Sequence, residues 1–552
     1  MPLQEVDTYG WDTSFAIRFA DANQAITKGW KNVNDAAKNV SQTDEGYSVT
    51  AQLEPWQLCE GGDGRNIWMK IPVKSGQFTP ASGTATAIAG AVLHVAVNLN
   101  YVPNPLKSHN HQLRTDPLGE ATSVRDVTGV SLGDIAKSVL KMLFNKWLAA
   151  NVGEFNHVFH DLDLSDIVDK DDNWAFLTPT AVSYAVTDNG TLDTSVFGVL
   201  TMTAGRKPPA NHQVSPDAIP AGSNSGFNIA GRLFTEKMLL YGAGLQFQQP
   251  ESVTKLPEKS PERQKAFEAW VADSFKIAND DMSVTNVKDI IFGTFADDKG
   301  ELRKLSIQAT QFTMSVNYGM LEVEFVNLTY NFSPGVDVHL NYKQHFEVYL
   351  ADGKENNLTP KKVFALKNVN REMLTSITKA RWVQILEIIE GIAFAIVGAV
   401  LGGLAGEAIG GLMKGAQATV TAGAEALAEG ETVAVITLET QAAKAEIQLT
   451  LEGAVTASAE VAGSIGSRMV GFLARIAPKL IGGMVGAGVG AALGAIPSYV
   501  ALAAEGKFDQ LPSFDKFAQK CIGAHNWPNQ PGFELKSARL ATSFQIGGDL
   551  KW

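Results

Sequence analysis

Residues 311–332 have the sequence QFTMSVNYGMLEVEFVNLTYNF, in which apolar and polar side chains alternate almost without interruption. Alternation with a period of two is typical of a β-strand that packs one face against a core and leaves the other face polar. Strand character continues on both sides of this stretch, through 283–350. This part of the chain is therefore predicted to form long strands.

Strand patterns also occur outside this region. The turn-rich residues 61–64 separate two of them and predict a hairpin, and Gly90 marks a bend within a third. The further predicted strands lie at 47–59, 67–78, 84–101, 155–164, 174–187, 196–203 and 533–546.

Helical spacing of apolar residues predicts a smaller number of helices. The first carries Phe15, Phe19 and Ile26 on one stripe, and the second, at 132–150, carries Ile135, Val139, Leu143 and Trp147. Two more are predicted at 226–241 and 261–278.

The order of helix, long strands, helix, long strands favours an α+β fold with two similar halves over a parallel α/β fold. The composition places an N-terminal half at 1–206, a linker rich in proline, asparagine and serine at 207–225, and a C-terminal half at 226–375 plus 506–552. Residues 376–505 are predicted to be an inserted helical hairpin.

This hairpin contains two glycine ladders with a spacing of four. On a helix such glycines share one face, where another backbone approaches closely, and each costs about 1 kcal/mol relative to alanine. Two interpretations remain. One is a close-packed structural hairpin whose apolar surface is covered while the protein is in water, and the other is a hairpin that enters a membrane conditionally. The ladders consist of Gly398, Gly402, Gly406 and Gly410, and of Gly482, Gly486, Gly490 and Gly494.

The charges of the hairpin suggest a condition for membrane entry. Its tip, 416–467, carries glutamates against the single Lys444, whereas basic residues precede each ladder. Ionised glutamates oppose transfer into the bilayer, and basic residues are attracted to anionic headgroups. The hypothesis is that acid neutralises the tip and lets the hairpin insert. A soluble hairpin with a solvated charged face is the alternative.

Charge and cysteine content exclude several classes of protein. The chain of 552 residues has a formal net charge of −12, which disfavours nucleic acid as a partner. Cys59 and Cys521 are interpreted as ordinary thiols rather than a disulfide framework or zinc ligands. Residues 1–11 lack the pattern of a secretory signal, so we expect synthesis in the cytoplasm and release by a non-Sec route.

The sequence shows no strong catalytic or metal-binding motif. It lacks a Walker phosphate loop, a Gly-x-Ser-x-Gly elbow and His-Glu-x-x-His. His157 and His160 would face opposite sides of a strand, and the acidic residues at 169–173 are followed by Trp174 where a calcium loop needs glycine. We expect no catalytic residue, no metal and no cofactor.

Several short motifs resemble one family. Residues 8–12, TYGWD, lead into the first predicted helix, and residues 155–159, FNHVF, are followed in order by Trp174, Pro179 and Tyr184 and then by 198–202, GVLTM. In order and spacing these are similar to the clostridial P47 and OrfX proteins, which are encoded beside some botulinum neurotoxins. The glycine ladders match no motif of that family.

The resemblance implies an elongated TULIP-like tube, in which long twisted antiparallel sheets wrap long helices with lipid between them. It also implies a non-enzymatic accessory or insecticidal role in a bacterial toxin locus, with other proteins of the cluster as partners.

Apolar helix stripes and long strands are compatible with an apolar channel for acyl chains. The candidate lipid-binding residues are Phe15, Phe19, Ile26, Val139, Leu143 and Trp147, and filled core is the alternative role for each. The sequence thus predicts a lipid-binding toxin-locus protein. The alternatives are a pore-forming toxin whose hairpin inserts at low pH, and a toxin-binding scaffold without lipid.

Overall fold

The structure is a computed structural model of the 552-residue chain. It describes residues 5–104, 107, 110–116, 122–164, 175–244, 247–257, 260–278, 282–296, 302–317, 319–333, 336–355, 359–379, 417–422, 432–440, 443–451, 514–528 and 532–551.

The chain forms two compact units. Unit 1 consists of Met1–Ala230, Asp515–Ala538 and Thr542–Trp552, and unit 2 of Gly231–Phe514 and Arg539–Ala541. The C-terminal segment joins unit 1 because its last strand pairs with a strand of that unit, Ser225–Ala230. The sequence pattern had grouped 506–552 with the second half, and it offers no local signal for a pairing across about 320 residues.

Strands make up most of the described structure. In the first part of unit 1 they are β1 Thr13–Arg18, β2 Asn39–Asp44, β3 Tyr47–Leu53, β4 Gln57–Leu58, β5 Asp63–Gly64, β6 Ile67–Thr79, β7 Thr86–Ala87, β8 Val92–Val97, β9 Leu99–Pro103, β10 Asn110–Thr115, β11 Ser123–Thr128, β12 His160–Asp163, β13 Pro179–Thr187, β14 Val196–Thr203 and β15 Ser225–Ala230. The remaining strands are β16 Phe275–Ile277, β17 Ser283–Asn286, β18 Ile290–Ala296, β19 Leu302–Ile307, β20 Phe312–Asn317, β21 Met320–Ser333, β22 Val336–Glu355, β23 Thr359–Lys379, β24 Gln417–Ala422, β25 Thr432–Thr440, β26 Ala443–Leu451, β27 His525–Asn526, β28 Phe533–Leu540 and β29 Ser543–Leu550.

The α-helices of the described residues are few. They are α1 Phe19–Gly29, α2 Asp134–Asn151, α3 Gly231–Phe234, α4 Leu240–Gly244, α5 Glu251–Thr254, α6 Pro261–Ser274 and α7 Phe514–Ile522. A π-helical stretch, Thr235–Leu239, joins α3 to α4.

The described strands of unit 1 form three sheets. Sheet A has the order β28-β29-β15-β1-β14-β13-β5, sheet B the order β11-β8-β6-β3-β2 with β4 and β7 also paired to β6, and sheet C the order β27-β12-β10-β9. In unit 2, sheet D has the order β16-β17-β20-β21-β22-β23-β26-β25-β24, and β18 pairs with β19. Every described strand pair whose register is known is antiparallel except β23 with β26. The α+β class predicted from the sequence is confirmed.

The alternating stretch 311–332 forms β20 and β21, which pair from Phe312 opposite Phe325 to Asn317 opposite Met320. Phe312, Met314, Leu321, Val323 and Phe325 are all buried, so the period of two correctly indicated the buried face. The bend predicted at Gly90 is also present, at φ +84° between β7 and β8.

Two predicted helix starts are strands instead. Thr13–Arg18, with Phe15, forms β1, and Ser225–Ala230 forms β15, so each helix begins only at the next residue. Both strands lie inside sheet A and are buried along nearly their whole length. A strand buried on both faces has no polar face, so its sequence lacks the alternation that distinguishes it from a helix.

The prediction that 376–505 is helical is wrong at four places. The described residues there form the end of β23 and the strands β24, β25 and β26. Segments such as TVAVITLET at 432–440 are rich in β-branched residues, which favour strands, whereas the prediction gave weight to the surrounding alanine and glycine. The eight glycines of the two ladders lie outside the described residues.

The proline-rich stretch predicted as a linker covers one face of sheet A. Val214, Ala218 and Ile219 are buried there against Trp11 and Ala16. The opposite face of β1 carries Phe15, so sheet A is packed on both sides.

The close approach of this stretch predicts the effect of one substitution. Gly226 on β15 lies so near the Ala218 carbonyl that a Cβ would collide with the backbone. We expect Gly226→Ala to lower the free energy of unfolding by about 1–3 kcal/mol, measured by urea denaturation. As a control, Gly532→Ala should change it by less than about 0.5 kcal/mol, because no described atom lies within 4 Å of the added carbon. Equal effects of the two substitutions would contradict the prediction.

Candidate functional site

An open apolar cleft lies at the beginning of α2. Its volume is about 530 Å³, which is within the usual range of roughly 300–1,000 Å³ for small-ligand sites. We call it the α2 cleft. Its lining consists of Tyr47, Phe78, Pro80, Gly133, Asp134, Ile135, Ala136 and Val139.

One wall of the α2 cleft comes from sheet B. Tyr47 begins β3 and Phe78 lies near the end of β6, and these two strands pair with Ser48 opposite Thr79. The two rings are stacked, with centroids 6.4 Å apart and an interplanar angle of 14°. Because Phe78 is fully buried, it fixes the stacked Tyr47 ring in the wall.

The other wall is the first turn of α2. Gly133 caps the helix without a side-chain hydrogen bond, and no described atom lies within 4 Å of the place where a Cβ would stand. Ile135 is 81% exposed, and among the described large hydrophobic side chains only Val326 is exposed as well. Leu140, Leu143, Phe144, Trp147 and Leu148 are buried further along the helix, so its rigid core anchors the exposed first turn.

The α2 cleft carries little charge. Asp134 is the only charged residue in its lining. The nearest lysine along the helix, Lys137, forms an ion pair with Asp126 at 3.1 Å, and its hydrogen bond lowers the pKa of that carboxyl. The walls therefore offer mainly apolar contact, which suits a hydrocarbon chain better than a polar substrate.

The structure places the six candidate lipid-binding residues in two environments. Val139 lies in the α2 cleft. The other five are at most 3% exposed and belong to the packed core of unit 1: Phe15, Phe19, Ile26, Leu143 and Trp147. Of the cleft residues, Ile135 lies on the predicted stripe of the second helix, whereas nothing in the sequence indicated Tyr47 and Phe78.

The core around Phe15 is filled by rings from the C-terminal segment. The Phe15 ring lies 5.8 Å from His525 and 5.7 Å from Trp527, and both pairs meet edge to face. It also contacts Phe227 at 5.8 Å. His525 and Trp527 were not predicted as core residues, although two aromatic rings two residues apart in the segment HNW are a signal for such a contact.

Three histidines are buried in this part of unit 1. Burial lowers the pKa of His157 and of His525 to about 4, and burial together with the His525 charge lowers the pKa of His160 well below its ordinary value. The apolar surroundings thus hold all three in the neutral form at pH 7.

The TYGWD stretch forms a tight turn joined to a buried ion pair. Tyr9 and Gly10 both have positive φ, of 51° and 85°, and Trp11 N–H donates to Thr8 at 3.0 Å. The buried Asp12 carboxylate accepts hydrogen bonds from the backbone and hydroxyl of Thr203, at 2.7 and 3.0 Å, and from Arg206 Nε at 3.0 Å. The motif therefore links the N-terminus to the end of β14.

The family model OrfX-like, described as Protein OrfX2/OrfX3/P47, matches residues 8–444, beginning at this turn. The chain belongs to the OrfX-like family. The resemblance found in the short motifs is confirmed, and OrfX-like proteins are encoded in botulinum toxin gene clusters.

Two OrfX-like relatives show how far the sequence similarity extends. Protein OrfX3 of Paraclostridium bifermentans is 29% identical over 280 residues, covering 44% of this chain and 55% of that protein. Protein OrfX3 of Clostridium botulinum (strain Kyoto / Type A2) is 29% identical over 272 residues, covering 43% and 54%. The chain spans about half the length of these curated relatives.

Solved OrfX-like structures extend the similarity to the whole fold. P47 of Clostridium botulinum E1 has a TM-score of 0.57 at 13% identity, covering 98% of this chain and 99% of that one. P47 from Clostridium botulinum A2 has a TM-score of 0.54 at 12% identity, covering 99% and 98%. At these identities the comparison shows the shared TULIP-like fold class and nothing about a ligand.

Within the described ranges, no group of three or more histidine, cysteine, aspartate or glutamate side chains is placed to hold a metal ion. No helix in the part of the chain that the structure describes has both the length and the apolar content needed to cross a membrane.

Proposed function

We propose that this OrfX-like protein is a non-enzymatic lipid-binding component of a toxin cluster, and that the α2 cleft holds an acyl chain. The observation that carries the proposal is the exposed Ile135 beside the stacked Tyr47 and Phe78 in an open apolar cleft of about 530 Å³. An exposed aliphatic side chain beside an aromatic wall is stabilised when a hydrocarbon chain covers it.

The packed interior supports this choice of site. Phe15, Phe19, Ile26, Leu143 and Trp147 already contact neighbouring side chains, so an acyl chain there would have to displace protein. In the α2 cleft a chain would displace only water. Val139 is the one predicted lipid-binding residue that also belongs to the lining of the α2 cleft.

The role within the cluster follows from family membership. Because OrfX-like proteins are encoded in toxin gene clusters, we propose that the partners are other proteins of the same cluster. A lipid-binding accessory protein needs a site that recognises apolar surface, and it needs no catalytic group. The α2 cleft fits this requirement, because its lining has one carboxylate and otherwise aromatic, aliphatic and small residues.

Binding of a fluorescent C16 fatty acid to the purified chain tests the proposal. We expect Ile135→Ser to weaken binding about 10- to 100-fold, because burying an isoleucine side chain contributes about 1.5–3 kcal/mol. Val326→Ser is the matched control, since Val326 is a partly exposed aliphatic residue of unit 2, outside the cleft lining. It should leave the affinity unchanged.

Native mass spectrometry gives an independent measurement. The wild-type protein should retain acyl lipid under gentle conditions, and Ile135→Ser should retain less. A bare protein mass together with no binding of the fatty acid would reject the proposal and favour the toxin-binding scaffold. Equal loss in Ile135→Ser and Val326→Ser would place the lipid elsewhere.

A further inference from the structure

A short C-terminal segment closes the histidine-containing core of unit 1. It consists of residues 515–528 and includes most of α7 and the two-residue strand β27. We call it the strap. We infer that two facing histidines, His160 on β12 and His525 on β27, hold the strap in place while both are neutral, and that it detaches when they take up protons. This inference is independent of acyl binding in the α2 cleft.

The backbone holds the strap only weakly. β27 pairs with β12 through two residue pairs, Asp161 with Asn526 and Leu162 with His525. One further bond runs from Asp163 N–H to the Ala524 carbonyl at 2.8 Å. A pairing this short is marginal by itself, so side-chain packing must supply much of the docking energy.

Two rings of the strap make the aromatic part of this packing. The His525 ring centroid lies 5.3 Å from that of His160, and the Trp527 ring lies 4.9 Å from His160. Trp527 also contacts Phe197 at 5.7 Å, and His525 contacts Phe227 at 5.9 Å. The strap thus covers an aromatic floor that belongs to strands of sheet A.

Protonation would oppose this arrangement. His160 Nε2 and His525 Nδ1 are buried and have no hydrogen-bond partner among the described residues, so an added proton would have no acceptor there. Two imidazolium rings at this separation would also repel each other in a poorly solvated site. The lowered pKa values of both histidines agree with this geometry.

Among the residues that the structure describes, no neighbouring group is positioned to neutralise the charge. His160 Nδ1 is 3.1 Å from the Tyr101 hydroxyl on β9, and burial raises the pKa of that phenol well above its ordinary value, so it stays neutral. Asp161 and Asp163 alternate with His160 along β12 and therefore face the other side of the strand. Burial raises the pKa of Asp161, whose carboxylate bonds to Asn110.

The other elements packed against the two rings are also uncharged at this point. β1, β14 and β15 contribute Phe15, Phe197 and Phe227. Within the strap, burial raises the pKa of Cys521 well above its ordinary value, so the thiol stays neutral. Asp515 lies at the opposite end of the strap and is half-buried.

Hydrogen exchange of the full chain between pH 7 and pH 5 tests the inference. With a pKa of about 4 in the docked strap and an ordinary value of 6.5 when it is free, His525 alone should raise the open population about 20-fold over this range. After correction for intrinsic rates, protection of β27 and β12 should therefore fall about 20-fold or more relative to β14. A smaller relative change, including an equal loss in β14, would overturn the inference.

His525→Phe isolates the proton from the packing, because phenylalanine keeps a ring against the aromatic floor and does not titrate. In this variant we expect the loss of strap protection between pH 7 and pH 5 to be about 20-fold smaller than in the wild type. His94→Phe is the matched control, since His94 is on β8 and pairs with Thr128 away from the strap. If His525→Phe folds and its strap exchange keeps the pH dependence of the wild type, the inference is overturned. If the variant does not fold, the hydrogen exchange of the wild type between pH 7 and pH 5 decides the question.

Discussion

Asp12→Ala is expected to lower the free energy of unfolding by about 3–5 kcal/mol, because removal of one partner leaves a charge uncompensated in a poorly solvated site. The Asp12 side chain is 7% exposed, and its Oδ1 lies 2.9 Å from Arg206 Nη2. The other oxygen accepts the two hydrogen bonds from Thr203, one of them from the backbone of β14. Urea denaturation at pH 7, followed by tryptophan fluorescence, measures the loss.

Asp35→Ala is the matched control for Asp12. Asp35 also pairs with a basic side chain, Lys38 at 3.2 Å, but its own side chain is 88% exposed. Exposed pairs contribute about 0–1 kcal/mol, so this substitution should have a small effect. If Asp12→Ala costs no more than Asp35→Ala, the buried pair does not hold the N-terminal turn to β14.

The strands with one polar face could be predicted from the sequence. The stretch 311–332 alternates because sheet D exposes one side of β20 and β21. The polarity of successive side chains therefore indicates which face of the strand is buried. The helix α2 could also be predicted from the sequence, since its stripe from Ile135 to Trp147 follows a spacing of four.

The strands buried on both faces could not be predicted in this way. β1 and β15 are buried on both faces along nearly their whole length, because a packed loop covers one face of sheet A and aromatic rings cover the other. Phe15 then fits the helical spacing of Phe19 and Ile26 by coincidence, since only the latter two lie on α1. Only the pairing of β1 with β14, about 180–190 residues away, separates the alternatives.

The candidate site could be predicted only in part, because its exposure also depends on contacts with distant parts of the chain. The apolar stripe of α2 predicted a row of candidate lipid contacts, but the burial of these residues increases along the helix. Ile135 is exposed and Val139 lines the cleft, whereas Leu143 and Trp147 are covered by protein. Which members of the row remain accessible depends on sheet B, whose contribution of Tyr47 and Phe78 has no signature in the sequence of the helix.

Acidification from pH 7 to pH 5 is expected to lower the free energy of unfolding by about 3–4 kcal/mol through His157 and His525 alone. Folding lowers the pKa of each from 6.5 to about 4, so the unfolded chain binds more protons over this interval. The stabilisation is fully present above about pH 6.5 and is lost as the pH falls towards 4. Each histidine contributes about 1.8 kcal/mol of the loss at pH 5 by this linkage.

A variant of His157 separates this effect from general acid sensitivity, since His157 lies in the loop before β12 and packs between Phe155 and Phe159 rather than against the strap. In His157→Gln the stability loss between pH 7 and pH 5 should shrink by about 1.8 kcal/mol, even if the substitution lowers stability at pH 7. His94→Gln, at the surface beside Thr128, should keep the full loss. Urea denaturation at pH 7, 6 and 5 gives the slope for each protein. Identical slopes in the wild type and in His157→Gln would show that this imidazole is solvated in the folded state, because only burial separates its folded and unfolded pKa values.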